Sequence, residues 1–167
     1  MGVAGAGKSA VGSALAYALG VAYVEGDAYH PATNVQRMAS GIPLTDADRL
    51  PWLHALAARL RDAEEAGAGL VMACSALKRS YREVLRAGAV RVTFIYLHGD
   101  RELLAGRLAH RKDHFMPPSL LESQLQALEP PTPDEDSWAF DVQLSPHEIV
   151  AAVLERIDAT KTKAPLR

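Results

Sequence analysis

Glycines, a lysine and a serine at the start of the chain have the spacing of a phosphate-binding loop. The segment from Gly2 to Ser9 fits the pattern G-x-x-x-x-G-K-[ST], in which backbone N–H groups surround the phosphates of a nucleotide. Lys8 would reach the β- and γ-phosphates, and the hydroxyl of Ser9 would coordinate Mg²⁺. We expect nucleotide contacts from the whole loop, which consists of Gly2, Val3, Ala4, Gly5, Ala6, Gly7, Lys8 and Ser9.

The alternative for this segment is a flexible, glycine-rich start that matches the pattern by chance. The residues that follow favour the loop, since 8–19 has the apolar spacing of a helix and 21–24 resembles a strand. The N-terminal end of a helix attracts phosphate through its dipole and its unpaired N–H groups. We therefore predict phosphate binding, with Lys8 as a catalytic residue.

Two carboxylates follow the predicted strand at 21–24. Strand alternation directs Glu25 and Asp27 to the same side, at the carboxyl edge where ligands bind to parallel sheets. Phosphoryl transfer uses one acid to support the metal, directly or through water, and another to orient or deprotonate the attacking hydroxyl. We assign Glu25 the first role and Asp27 the second, and His30 would add a donor for a polyhydroxyl substrate. The alternative is that the two acids only cap the following turn.

Strand-like and helix-like segments alternate, which predicts an α/β fold with a mostly parallel sheet. Strands are expected at 21–24, 69–74, 92–97 and 140–144. Helices are expected at 8–19, 46–66, 78–87, 101–111, 119–128 and 146–157. Thr45 or Asp46 can cap the second of these helices, and Ser145 before Pro146 marks the start of the last one.

A strand is also expected ahead of the phosphate loop, and it is missing from this sequence. Such a strand would be central in the sheet and would read as a run of valine, isoleucine and leucine. Only Met1 precedes Gly2. We expect the natural protein to carry several apolar residues upstream of Met1.

Length and composition indicate a single globular domain. The chain has 167 residues, 49% of them hydrophobic, and a formal net charge of −2, so its charge favours neither nucleic acid nor an anionic membrane. Cys74 is the only cysteine, which excludes intramolecular disulfides and suits a reducing compartment. No segment reaches the roughly 18 consecutive apolar residues that a membrane span needs. We expect a cytoplasmic protein.

Five further blocks of sequence resemble bacterial gluconate kinases. They are Glu-Gly-Asp-x-x-His-Pro-x-x-Asn at 25–34, Met-Ala-Ser-Gly-Ile-Pro-Leu-Thr-Asp-x-Asp-Arg-x-Pro-Trp-Leu at 38–53, Ala-Cys-Ser-Ala-Leu-Lys-x-x-Tyr-Arg at 73–82, His-Phe-Met at 114–116 and Leu-Leu-x-Ser-Gln-x-x-x-Leu-Glu at 120–129. The resemblance covers essentially the whole chain. It implies ATP- and Mg²⁺-dependent phosphorylation of D-gluconate to 6-phospho-D-gluconate.

The resemblance also implies the architecture of a P-loop small-molecule kinase, with helices on both faces of the sheet and a mobile lid. We expect one domain over 1–167, with a core at 1–100 and 130–160, a substrate region at 27–60 and a lid at about 107–118. The family includes dimers, so a homodimer is a further expectation. An apolar stripe of Leu53, Leu56 and Leu60 would serve either the core or such a contact.

Basic residues are candidates for contacts with the transferring phosphoryl group and with the carboxylate of the substrate. Arg107 and Arg111 are spaced i, i+4 ahead of a basic segment that includes His114, and a closing lid would bring their charge to the transferring phosphoryl group. The alternative is a solvated cationic helix face.

The substrate carboxylate needs a cation, and the candidates are Arg49, Lys78 and Arg82. The sequence does not choose among them. For Arg49 the competing interpretation is a structural ion pair with Asp46 or Asp48. His30 and His114 complete the expected substrate set. The alternatives to a gluconate kinase are a kinase for another small hydroxy acid, such as shikimate, and a non-catalytic nucleotide-binding module.

Overall fold

Helices and strands alternate along the chain, as the sequence predicts. A computed structural model describes residues 1–89, 91–110 and 119–163. The strands are β1 (Ala22–Glu25), β2 (Leu70–Ala73), β3 (Phe94–His98) and β4 (Ser137–Asp141). The helices are α1 (Lys8–Leu19), α2 (Ala32–Ala39), α3 (Asp46–Glu65), α4 (Arg79–Arg86), α5 (Arg101–Ala109), α6 (Ser119–Ala127) and α7 (Pro146–Lys163), and a 3₁₀ helix covers Gly26–Tyr29.

The strands form two parallel pairs. β1 pairs with β2, with Glu25 opposite Ala73, and β3 pairs with β4, with His98 opposite Asp141. Each pair is joined through crossover helices, as parallel pairing requires. The chain has the fold of a P-loop kinase. Among the described residues, the buried hydrophobic side chains form three clusters. One includes α1, α5 and α7, another includes α3 and α4, and a small third cluster consists of Met38, Leu44 and Leu120.

The first peptide of the chain lies between the two strand pairs. The nitrogen of Met1 donates to the carbonyl of Ile95 at 2.5 Å, and the carbonyl of Met1 accepts from the nitrogen of Leu97 at 2.9 Å. The nitrogen of Gly2 donates to the carbonyl of Ser75 at 3.1 Å. A cavity of about 180 Å³, lined mostly by apolar side chains, lies between β2 and β3.

Side-chain caps set the start of two long helices. The hydroxyl of Thr45 accepts from the nitrogen of Asp48, whose carboxylate accepts in turn from the nitrogen of Thr45. Ser145 and Glu148 make the same reciprocal pair ahead of α7. Thr45 is therefore the cap of α3, and the expected start of α7 is confirmed.

The predicted position of the last strand is wrong by about three residues. The sequence suggests 140–144, whereas β4 covers Ser137–Asp141. The strand ends at Asp141 because its side chain accepts from the nitrogen of Gln143 and its carbonyl accepts from the nitrogen of Leu144, which closes a turn. The helix α2, which is eight residues long, was not predicted.

The apolar stripe on α3 belongs to the core. Leu53 and Leu56 are fully buried among the aromatic and aliphatic side chains of their own subunit, and Leu60 packs against the same cluster. A homodimer would therefore use another face of the molecule. None of the helices in the described part of the chain is long and apolar enough to cross a membrane.

Candidate active site

The phosphate loop leads directly into α1. Gly2, Gly5 and Gly7 have φ angles of 139°, 80° and 84°, and Gly7 precedes the first helical residue. At Gly5 the space is restricted as well, because a Cβ atom would lie 2.8 Å from the carbonyl oxygen of Leu104 on α5. A side chain at this position would both strain the backbone and push α5 away.

Two contacts hold the loop in place. The ammonium of Lys8 donates to the carbonyl of Val3 at 3.0 Å, which places the lysine over the loop. The nitrogen of Ala4 donates to the side-chain oxygen of Gln124 at 2.6 Å, and Gln124 is buried on α6. Sequence reasoning assigned no role to Gln124, although it lies in one of the blocks that carry the resemblance.

Glu25 and Ser9 meet at the hydroxyl of Tyr23. This hydroxyl donates to the carboxylate of Glu25 at 2.7 Å, and the side chain of Ser9 hydrogen-bonds to the same tyrosine. Burial, followed by the interaction with Glu25, raises the pKa of Tyr23. Sequence reasoning missed this tyrosine.

The oxygen atoms of Glu25 and Ser9 fit a magnesium ion. Both groups lie within hydrogen-bond reach of one side chain, so the two candidate ligands are close together. Among the described residues no group of three or more His, Cys, Asp or Glu side chains could hold a metal. Mg²⁺ does not need such a cage, because it is commonly held by one or two protein oxygens, waters and the phosphates of the substrate.

Gly26 fixes the segment between the two carboxylates. A Cβ atom here would lie 2.4 Å from the carbonyl oxygen of Ala73, so the end of β1 packs directly on the end of β2. The indole of Trp52 donates to the carbonyl of Gly26 at 2.8 Å. Asp27 follows in the 3₁₀ helix, half-buried, and its charge acts on the pKa of His30.

His30 lies against Trp52. The two rings stack with their centroids 4.2 Å apart and their planes inclined by 14°. Burial lowers the pKa of His30 to about 4; Asp27 opposes this shift, and Arg49 adds to it. The imidazole is therefore neutral at neutral pH, so it can act as a hydrogen-bond partner but not as a cation.

Two of the candidate cations lie near the ring of Tyr81. The ammonium of Lys78 and the guanidinium of Arg49 lie 5.7 and 5.9 Å from the centroid of its ring. Lys78 also holds both carboxylate oxygens of Asp46 at 2.8 Å, and the hydroxyl of Tyr81 donates to the same carboxylate. The structure thus brings Arg49, Lys78, Tyr81 and Asp46 together. The sequence analysis proposed only the two cations, Arg49 and Lys78, as ligands of the substrate.

Comparison with known proteins identifies the family to which this arrangement belongs. A family model described as an AAA domain matches residues 1–131. A gluconokinase from Gluconobacter oxydans is 45% identical over 159 residues, which cover 95% of this chain and 89% of that protein. The chain belongs to the gluconokinase family.

Solved structures agree with this assignment. A gluconokinase from Sinorhizobium meliloti matches with a TM-score of 0.85 at 46% identity, covering 98% of this chain and 95% of its own. An unliganded sugar kinase from Janibacter matches with a TM-score of 0.91 at 42% identity, covering 99% and 96%. Membership of the gluconokinase family implies a nucleotide substrate and a metal ion.

In this gluconokinase-family chain, Arg82 is buried and hydrogen-bonded to groups of the protein itself. Its side chain is 1% exposed and makes two bonds to the carboxylate of Glu135, of 2.5 and 2.9 Å. The remaining donors reach the carbonyls of Ala76, Leu77 and Glu129. A guanidinium surrounded in this way does not face a substrate, so we leave Arg82 out of the proposed acceptor site.

The structure describes only part of the segment that the sequence analysis expects to form a lid. Arg107 lies near the end of α5 and donates to the carbonyl of Val142 at 2.6 Å, which ties α5 to the segment after β4. Arg111 and His114 lie outside the residues that the structure describes.

Proposed function

We propose that the protein transfers the γ-phosphoryl group of ATP to the 6-hydroxyl of D-gluconate and releases ADP and 6-phospho-D-gluconate. The observation that carries this proposal is the position of the phosphate loop next to Glu25 and Asp27, in a chain with 45% identity to a gluconokinase. Phosphoryl transfer demands little covalent help from a protein, so positioning and electrostatics account for most of the rate.

At the donor end, the backbone N–H groups of the loop and the start of α1 bind the phosphates. Lys8 exchanges its bond to the carbonyl of Val3 for the γ-phosphate and counters its charge. Ser9 and Glu25 would hold the metal, for which we propose Mg²⁺. When bound, this ion would neutralise charge on the β- and γ-phosphates.

At the acceptor end, Asp27 orients the 6-hydroxyl and accepts its proton as the bond to phosphorus forms. His30, neutral and held by Trp52, binds another hydroxyl of the substrate. Arg49 and the Lys78–Asp46 pair, which lie around Tyr81, are the further groups that we assign to the acceptor site.

Closure over the reacting groups would complete the site. Arg107 and Arg111 are the arginines that we propose to stabilise the charge on the transferring group, and His114 would join the substrate contacts. We further propose a cytoplasmic location, because the one cysteine of the chain, Cys74, is buried and unpaired with another cysteine.

The decisive experiment measures ADP release with ATP and Mg²⁺ over D-gluconate, other aldonic acids, shikimate and nucleoside monophosphates. We expect turnover that is specific for gluconate. Asp27→Asn should lower kcat by about 100-fold or more while nucleotide binding, measured by calorimetry, survives. Asp62→Asn, on the exposed side of α3, is the matched control and should keep the wild-type rate.

Other outcomes would change the assignment in defined ways. Faster turnover of another acid would reassign the acceptor, and nucleotide binding without turnover of any acceptor would indicate a binding module. Near-normal turnover by Asp27→Asn would contradict the role of this residue as the base.

A further inference from the structure

The turn that follows β2 has an unusual backbone conformation at Ala76. Its φ angle is 44°, and within the described part of the chain it is the only residue other than glycine with a positive φ. A residue with a Cβ atom is strained in this left-handed region, and such residues persist only where the surrounding structure holds them. Ala76 is 1% exposed, so packed protein surrounds the turn. Its conformation is therefore imposed by neighbouring residues.

The side chain of Arg82 supplies part of this support. Its Nη1 atom lies 3.0 Å from the carbonyl oxygen of Ala76 and 3.1 Å from that of Leu77. The carboxylate of Glu135 holds the same guanidinium through two further bonds. The nitrogen of Glu129 also donates to the carbonyl of Leu77, at 2.9 Å. The buried ion pair thus fixes the two consecutive carbonyls of the strained turn.

The residues just before Ala76 contact both halves of the site. The nitrogen of Gly2, at the start of the phosphate loop, donates to the carbonyl of Ser75 at 3.1 Å. The carbonyl of Ala73 lies against Gly26, where a Cβ atom would approach it to 2.4 Å. Gly26 separates the two carboxylates of the site. A change in this turn would therefore alter the distance between the phosphate loop and the carboxylates.

We propose that Arg82 is a positioning residue for phosphoryl transfer, which holds the left-handed turn at Ala76 and thereby sets the spacing between the phosphate loop and the segment 25–27. This inference rests on the proposed function. The phosphates bind to N–H groups of the loop itself, so the turn controls the alignment of the reacting groups more than the affinity for either substrate. A misplacement of about 1 Å can cost about 100-fold in rate.

The first test replaces Arg82 by lysine. An ammonium keeps the charge beside Glu135, but it lacks the planar set of donors that reaches the carboxylate and the carbonyls together. Arg82→Lys should lower kcat with gluconate by about 10- to 100-fold, while the KM for gluconate and the affinity for ADP change by less than about threefold. Circular dichroism gives the folded fraction, to which kcat is referred. A purely structural role would lower the folded fraction and leave kcat per folded enzyme unchanged.

The second test restores the turn without the arginine. In the double variant Arg82→Lys/Ala76→Gly, most of the lost kcat should return, because glycine adopts a φ of 44° without strain. The matched control adds Ala87→Gly to Arg82→Lys. Ala87 follows α4 with a φ of −66°, so a glycine there relieves no strain and should restore nothing.

Three results would overturn the proposal. They are a wild-type kcat in folded Arg82→Lys, no recovery with Ala76→Gly, and an equal recovery with Ala87→Gly. Should Arg82→Lys fail to fold, Glu135→Gln takes its place in the same comparison, since it removes the charge that anchors the guanidinium and keeps the shape of the side chain. A wild-type kcat in Glu135→Gln would then overturn the proposal.

The failure of this inference is distinguishable from failure of the proposed function. If wild type phosphorylates gluconate and kcat per folded enzyme does not respond to these variants, only the positioning role of Arg82 is wrong. If wild type turns over no acceptor in the presence of ATP and Mg²⁺, the proposed function is wrong, and the inference is wrong with it.

Discussion

The hydroxyl of Tyr23 donates a hydrogen bond of 2.7 Å to the carboxylate of Glu25, two residues further along the same strand. Alternation along β1 places both side chains on one side, and the ring of Tyr23 lies against Gly12 of α1, where a Cβ atom would approach it to 2.9 Å. The tyrosine thus joins the strand to the helix that follows the phosphate loop. It orients the carboxylate that we propose for the metal.

Replacing Tyr23 by phenylalanine should weaken nucleotide binding only when Mg²⁺ is present. The ring keeps its place beside Gly12, but Glu25 loses the bond that orients it, and a hydrogen bond to a charged group is worth about tenfold in affinity. Calorimetry with and without Mg²⁺ measures the effect. Tyr17→Phe is the control, since Tyr17 is 91% exposed on α1. An equal loss in both conditions would show that Tyr23 has only a packing role.

Removing the buried arginine should destabilise the whole domain. Arg82→Ala leaves the carboxylate of Glu135 buried without its partner and several carbonyls without a donor, which costs about 3–5 kcal/mol in the free energy of unfolding. Urea denaturation measures this change. Arg59→Ala, which breaks an exposed pair with Asp62, should cost less than about 1 kcal/mol. Comparable losses in the two variants would contradict the structural role of Arg82.

The same ion pair predicts how stability depends on pH. Arg82 lowers the pKa of Glu135 from 4.5 to about 2 in the folded protein. Because the folded pKa lies below the unfolded one, the stabilisation is complete above about pH 4.5 and is lost as the pH falls towards 2. The difference in unfolding free energy between wild type and Glu135→Gln should therefore shrink between pH 5 and pH 3. A difference that stays constant over this interval would exclude the linkage.

Two glycines with similar φ angles allow the cost of backbone strain to be distinguished from the cost of steric crowding. Gly5 and Gly20 have φ angles of 80° and 66°, but a Cβ atom at Gly20 would meet no atom within 4 Å. Gly20→Ala should cost only the strain of a left-handed residue, about 1–2 kcal/mol. Gly5→Ala should cost more, because Leu104 must also move, and it should abolish nucleotide binding. Thermal unfolding and nucleotide titration of both variants check this, and equal behaviour would contradict the close approach of α5.

Much of the donor site could be predicted because its residues are neighbours in the chain. The phosphate loop, the start of α1 and the pair Glu25 and Asp27 each occupy a few consecutive positions, so spacing alone indicates their chemistry. The cap of α3 at Thr45 is equally local. Strand ends are less certain, and β4 was misplaced because the turn after Asp141 depends on side-chain hydrogen bonds.

The contacts that support the site join residues far apart in the sequence. Gln124 reaches the phosphate loop across 120 positions, and Arg82 reaches Glu135 across 53. No local sequence pattern predicts such pairs, because they form only when packing brings the helices and loops that carry them together.

The sequence by itself determined the position of the glycine-rich loop ahead of α1, the alternation of strands and helices and the likeness to gluconate kinases. The tertiary structure decided which of three basic residues lie beside a carboxylate of the protein itself. Arg49, Lys78 and Arg82 are equivalent as cations in the sequence, but only folding places Asp46 beside Lys78 and Glu135 around Arg82. The role of a charge depends on which opposite charges lie close enough to neutralise it, and that distance is a property of the folded chain.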